Sequence, residues 1–390
     1  MNRNIPLIAV AMFLWGFGER IFLNFMTIYL DKQFSLGKSE IGIVFGAYGL
    51  AMAITHLPAG RLADRIGRKP LLISARLMGL ITTLVMGFAL SLPLYLIGLF
   101  GYALTAFVSA PLSSYVTAVR GKWSVGRVLS LTNAPLFLGM ALGPLVGGWI
   151  GDTYGMRMSY FAAAALFVPS TIIMFFLETQ PIDHHDPDTP PQELIDNKHL
   201  IILTLITAFT LFSMYLAQPL TPNFLIEVRS LSLSDVGLLF TVGAMGNSLM
   251  AILFSHVEPR SGFIFTQVLV TLFALIIWKA IALPAFALGY FLLGGYRVSR
   301  PMAMAQAREL VHNSQMGMTY GIMETVGAVV IILAPPISGI LYERDPMIVY
   351  PLTIGLMTVS IVVGYLFLPR RARRADPTVL QDSLSVTTPE

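Results

Sequence analysis

Apolar runs of about twenty residues recur along the whole chain, separated by short polar or Gly/Pro-marked breaks. A helix crosses a bilayer with about 20 predominantly apolar residues. Such runs fall at roughly 5–30, 40–60, 70–91, 93–117, 126–150 and 157–178, then 199–226, 235–256, 262–282, 284–306, 315–341 and 346–368. The uncharged stretch from Leu77 to Val119 is too long for one span, and Ser91-Leu92-Pro93 divides it. The opening Met1-Asn2-Arg3-Asn4 before an apolar run has the form of a secretion signal. It lacks a small-x-small cleavage site, so we read it as the start of the first span. The pattern predicts an all-α integral membrane protein of twelve transmembrane helices.

Two segment pairs repeat in order. LGKSEIGIVF at 36–45 matches LSLSDVGLLF at 231–240, with Glu40 against Asp235, at an offset of 195. TNAPLFLGMALGPLVGG at 132–148 matches METVGAVVIILAPPISG at 323–339 more weakly, at an offset of 191. The expected organisation is an N-terminal six-helix bundle (1–178), a linker (179–198), a C-terminal six-helix bundle (199–369) and a basic, polar tail (370–390). Two six-helix pseudo-repeats around a central cavity, with the substrate site at their interface, are a plan used by transporters.

Composition agrees with lipid as the main solvent: 55% of residues are hydrophobic, 12% are charged, and the mean hydropathy is +0.73. No soluble basic face is available for nucleic acid. The absence of cysteine excludes disulfides and thiolate metal sites. Placing both termini in the cytoplasm puts fifteen Lys and Arg on that side: Arg3, Arg61, Arg65, Arg68, Lys69, Arg120, Lys122, Arg127, Lys198, Arg260, Arg308, Arg370, Arg371, Arg373 and Arg374. Six face outwards: Lys32, Lys38, Arg157, Arg229, Lys279 and Arg344. The positive-inside rule selects that orientation. The linker holds His184-His185 with Asp183 and Asp186, but adjacent histidines in a Pro-rich loop are not a built site. No metal or cofactor is expected.

Gly60-Arg61-Leu62-Ala63-Asp64-Arg65-Ile66-Gly67-Arg68-Lys69, between spans 2 and 3, closely resembles the signature loop of the major facilitator superfamily. Gly60 and Gly67 suit a tight turn. The resemblance implies a gating loop of Gly60, Asp64, Arg65, Gly67 and Arg68, with Asp64 locking the cytoplasmic side against the start of span 11, near Gln315–Met318. The cations of this loop also satisfy the positive-inside rule by themselves. In span 5, Gly139-Met140-Ala141-Leu142-Gly143-Pro144-Leu145-Val146-Gly147-Gly148 resembles the GxxxGPxxGG pattern of drug/proton antiporters in that superfamily, with Ser130 where a further glycine is usual. Gly139, Gly143, Pro144, Gly147 and Gly148 equally suit a tightly packed, bent helix. The helix-4 Arg of the drug exporters is missing, since 99–120 carries no charge before Arg120. Proton handling then falls to other residues.

An ionisable group inside a bilayer costs at least about 2.5 kcal/mol and is a functional candidate by default. Glu19 and Arg20 lie in span 1. Neighbours on a helix point about 100° apart, so Arg20 joins Asn24 and Thr27 on a polar stripe while Glu19 shares a face with Trp15 and Phe22. Arg297 and Arg300 share a face of span 10, and Glu324 sits in span 11. Two readings stand for this trio: an ion pair holding the helices together, or a carboxylate that exchanges a proton. Proton-coupling candidates are therefore Glu19 and Glu324. Cavity candidates are Arg20, Asn24, Asn133, Arg297 and Arg300, while Arg76 and His56 read as structural residues near the cytoplasmic surface.

No GxxxxGK[ST] loop for ATP occurs, nor HExxH or GxSxG. The leading expectation is a secondary transporter, not an enzyme, working by alternating access. It would couple protons to efflux of a small amphipathic compound across the plasma or inner membrane. The alternative is a proton-coupled symporter importing a sugar, peptide or other metabolite. Its partners would be that small molecule, protons and the bilayer, and the family default is a monomer.

Overall fold

The computed structural model describes residues 4–123, 125–179, 197–311 and 316–368, with side chains for all of these except 56–66, 110, 125–126, 316–318 and 320. The linker, the tail, the side chains of Asp64 and Arg65, the Cβ environment of Gly60 and most of Gln315–Met318 thus lie outside the described residues.

Every regular element among the described residues is helical. The first set comprises α1 (Asn4–Leu23), α2 (Met26–Phe34), α3 (Lys38–Ile66), α4 (Arg68–Phe88), α5 (Leu92–Leu104), α6 (Ser109–Ala118), α7 (Val125–Tyr154) and α8 (Met158–Phe175). The second comprises α9 (Lys198–Leu216), α10 (Thr221–Glu227), α11 (Leu233–Leu253), α12 (Pro259–Lys279), α13 (Leu283–Leu310), α14 (Met316–Arg344) and α15 (Val349–Phe367). Among the described residues, ten helical segments are long and apolar enough to cross a membrane. The 29-residue α3 and 28-residue α13 are long enough but are not among those ten. Large apolar side chains such as Ile97, Leu205 and Ile252 are about two-thirds exposed, which suits hydrocarbon rather than water.

Three expected single spans are interrupted. The 5–30 run breaks at Asn24-Phe25, between α1 and α2, and the 199–226 run breaks between Leu216 and Thr221. Pro219 and Pro222 cannot donate to a helical ladder, which accounts for the second break. A turn of 3₁₀-helix, Thr105–Val108, divides the 93–117 run.

The span-5 glycines are explained by contact. A Cβ on Gly139, Gly143 or Gly147 would strike the carbonyl oxygens of Phe13, Phe17 and Ile21, one α1 turn apart. Successive glycines four residues apart thus let α7 lie backbone to backbone on α1.

The two sets meet along α3–α14 and α7–α11. Here the sequence repeat reappears as structure. A Cβ on Gly237 would meet the Pro144 carbonyl, and one on Gly42 would meet that of Pro335. Gly148 abuts Leu233, and Gly339 abuts Lys38. Each position in one crossing maps onto the other by the same offsets, 195 and 191, that relate the sequence segments.

Carboxylates cap both crossings at one end. Asp152, ending α7, accepts hydrogen bonds from the Leu233 and Ser234 amides (3.1 and 2.7 Å) and the Ser234 hydroxyl (2.5 Å). Glu343, near the end of α14, accepts from the Ser39 amide (2.9 Å) and hydroxyl (2.6 Å). Glu40 and Asp235, matched in the repeat, are local caps on the Gly37 and Ser232 amides. Acids at helix N-termini satisfy orphan N–H groups and complement the helix dipole. Lys38 adds ion pairs to Asp31 (2.8 Å) and Glu227 (2.6 Å).

The α1–α7 contact admits a direct test. Gly143→Val would push a branched side chain into α1 at Phe17 and Arg20, costing about 1–3 kcal/mol as overpacking does. The thermal midpoint of the purified protein should fall, and an unchanged midpoint would refute the close approach.

Candidate functional site

Just below the α7–α11 crossing, where the Thr241 hydroxyl donates to the Ala141 carbonyl (2.8 Å), lies a cavity of about 520 Å³. Residues of both sets line it: Arg20 and Asn24 at the end of α1, Phe137 and Met140 of α7, Gln218 of the α9–α10 turn, Phe240 to Ala251 of α11, and Tyr290 to Arg297 of α13. Drug-sized ligands occupy sites of about 300–1,000 Å³.

Arg20 is held in place by its own helix. Its Nη1 donates to Asn24 Oδ1 (3.0 Å), one helical turn on and at the α1–α2 break, while its buried Nε has no protein partner. Arg297 enters from the opposite side and remains more than a third exposed. Tyr215 and Tyr296 stack with ring centroids 5.7 Å apart, and Tyr296 lines the wall beside Arg297.

A second, smaller cavity of about 230 Å³ lies within the first set, lined by Trp15, Glu19, Tyr48, Met52, Arg76, Tyr102 and their neighbours. The Tyr102 hydroxyl donates to Glu19 Oε1 (3.3 Å). Arg76 is 2% exposed, stacks on the Trp15 ring (4.0 Å) and donates from Nη2 to Met12 Sδ (3.0 Å). Its Nε and Nη1 have no hydrogen-bond partner.

The structure thus parts the neighbours Glu19 and Arg20 into different cavities. It brings Arg20, Asn24 and Arg297 into the central one. Arg300 pairs with Glu324, and the carboxylate side of that pair is 62% exposed, so this is no buried tie between helices. Asn133 is half-buried on α7 and lines neither cavity. Gly67 has φ +84° between α3 and α4, a backbone conformation that favours glycine, and Arg68 opens α4. Gly60, expected in the turn, instead lies with Asp64 and Arg65 inside α3, so the turn rests on Gly67. Arg76 corrects the surface reading. Seven residues beyond Lys69 it is about 10 Å further along the helix at 1.5 Å per residue, and that depth was the available signal. Gln218 and Asn247, both on the central wall, carried no pattern that marked them.

The family model of the Major Facilitator Superfamily matches residues 8–260 and 203–386, nearly the whole chain. The chain belongs to the major facilitator superfamily. Members of that family are multi-pass membrane transporters rather than enzymes. An uncharacterised MFS-type transporter of Methanocaldococcus jannaschii is 28% identical over 178 residues, 45% of each chain. The multidrug resistance protein MdtG of Proteus mirabilis is 27% identical over 260 residues, 63% of each chain. The matches thus span between 45% and 63% of these relatives' own length. Among solved structures, the nucleoside transporter NupG superposes with a TM-score of 0.82 at 13% identity, over 94% of this chain and all of that one. A bacterial homologue of the lysosomal transporter Spinster, in an inward-facing occupied conformation, gives 0.70 at 15%, over 93% of both. At such identities the likeness is one of fold.

The Trp15–Arg76 stack generates a stability prediction. Trp15 also stacks on Phe167 (4.1 Å), so Trp15→Leu opens a void and strips the ring from a buried cation. A loss of roughly 3 kcal/mol is expected, read as a lower thermal midpoint; wild-type stability would mean that Arg76 is supported otherwise.

Proposed function

We propose that this transporter works by alternating access, as two six-helix halves (1–178 and 199–369, twelve spans in all) rocking about the central cavity, and that it couples protons to the efflux of a small amphipathic compound. The observation that carries this reading is the cavity lined by both sets directly beneath crossings that close one end. Ligand held there lies on the interface that moves. MdtG relatives, named for multidrug resistance, support efflux.

In this reading the capped end faces outwards, since Lys and Arg of the described loops concentrate at the other, with both termini in the cytoplasm. The chain then stands closed to the outside. The signature loop with Asp64 and Arg65 would lock the opposite end once the outer caps release. Glu19, enclosed with Arg76, and Glu324, exposed beside Arg300, are the proton carriers. Protonating either carboxylate leaves its arginine uncompensated, so each protonation state favours a different packing.

Three measurements in proteoliposomes test this. The chain has no cysteine, so Ser39→Cys with Glu343→Cys, and Ser234→Cys with Asp152→Cys, should cross-link under oxidant, stop dye transport and recover on reduction; full transport while cross-linked would exclude rocking at these crossings. An imposed pH gradient should drive dyes from a charged and neutral panel against their own gradients. Glu19→Gln or Glu324→Gln should abolish that drive, and if neither changes the pH dependence the proton assignment is wrong. Asp64→Asn should slow turnover by about tenfold or more at normal expression, on the scale of one lost charge-assisted contact, and wild-type turnover would remove the gating role.

A further inference from the structure

We infer that the central cavity selects organic anions: molecules that join a carboxylate, sulfonate or phosphate to an aromatic or otherwise apolar body. This deepens the transport reading and rests on the central cavity being the substrate site. The argument begins with charge. The cavity wall carries Arg20 from one set and Arg297 from the other, and no Asp or Glu. The ionisable groups acting on Arg297 are Arg20, Tyr296 and Tyr215, with no carboxylate among them.

The nearest acids are committed elsewhere. Glu324 pairs with Arg300. Glu19 opens on the separate first-set cavity, where Tyr102 donates to it and the field of Arg76 reaches it. Leaving the Arg300–Glu324 pair aside, the two cavities together hold one carboxylate, Glu19, and three guanidiniums, Arg20, Arg76 and Arg297. Two positive charges remain uncompensated.

Charges at such depth are retained where they meet a partner or a permeating species. Arg20 meets part of that need through Asn24, but its buried Nε has no protein partner. An oxyanion seated between the two arginines would accept the charge-assisted hydrogen bonds that planar guanidiniums are shaped to give. Phe137, Met140, Phe240, Tyr290 and Leu293 supply an apolar wall for the rest of the ligand.

The placement also joins binding to motion. The arginines belong to different sets, so their repulsion opposes approach at this level, and an anion bridging them removes it. A ligand shifts a conformational equilibrium only by its differential affinity for the two states. A bridging anion has that property, whereas a cation would add to the repulsion.

The test uses the purified full-length chain in nanodiscs and two xanthene dyes of similar size at pH 8, anionic fluorescein and cationic rhodamine 123, with binding read by fluorescence anisotropy. Fluorescein should bind about tenfold or more tightly than rhodamine 123, and Arg20→Gln and Arg297→Gln should each weaken it by about tenfold, on the scale of a lost charge-assisted contact. Arg297→Lys should retain part of the affinity. Thermal unfolding separates binding from folding: both Gln variants should unfold no earlier than wild type, because each relieves the repulsion, and fluorescein should stabilise wild type but not the variants. Equal or tighter rhodamine 123 binding, no binding of either dye, or fluorescein binding unchanged in both Gln variants would overturn the inference. If fluorescein binds through the arginines yet proteoliposomes release it no faster than protein-free vesicles, the efflux reading fails and the anion site stands.

Discussion

Contact between helix backbones at glycine holds this molecule in its arrangement. At α3–α14 and α7–α11 the partners approach so closely that one added carbon would strike a main-chain carbonyl. Lipid offers helices little hydrophobic gain for associating with one another, so their attraction has to come from such close packing and from polar contacts. The crossings set the depth at which the helices diverge, and the central cavity begins there. They also decide which residues share it: Arg20 and Arg297 line one cavity because α1 lies along α7 while α13 packs on α11. A longer side chain at the crossings would move every one of these relations.

Charge organises what the crossings leave open. The capped end gathers carboxylates with matching donors: Asp152, Glu343, Glu227 and Asp31 each have an amide, hydroxyl or ammonium partner. The interior is different. Arg20 and Arg76 leave guanidinium nitrogens without partners, and an amide and an aromatic ring stand where carboxylates would be. A satisfied polar network suits an end that must shut, and an unsatisfied one suits a space that must receive something.

Much of the fold was legible in the chain itself. Apolar run lengths located the helices, and the repeat at offsets 195 and 191 picked out the four helices of the two main crossings between the sets. The reason is physical: α3, α7, α11 and α14 must present small residues and capping acids to one another, which restricts their sequence more than contact with lipid restricts the rest. Helix breaks were harder to see. Asn24-Phe25 interrupts its run without a proline or glycine to mark the break. The site was legible in part. Charged residues in apolar runs announced Arg20, Glu19, Arg297 and Glu324, but which of them share a cavity depends on helix rotation and on contacts hundreds of residues away. Arg76 was read as near the surface because only seven residues separate it from Lys69. Gln218 and Asn247 are neutral amides that apolar runs tolerate without signal.

The capping acids carry a consequence for how such a chain can change over generations. Asp152 and Glu343 grip main-chain N–H groups, adding a serine hydroxyl on each side. Every residue except proline supplies an N–H, so the gripped helix can exchange most of its side chains while the grip persists. Two copies of an ancestral segment could therefore drift far apart in sequence, each free to specialise its own wall of the cavity. Only one acid and a few glycines per copy would need to stay in place for the pair to keep closing against each other.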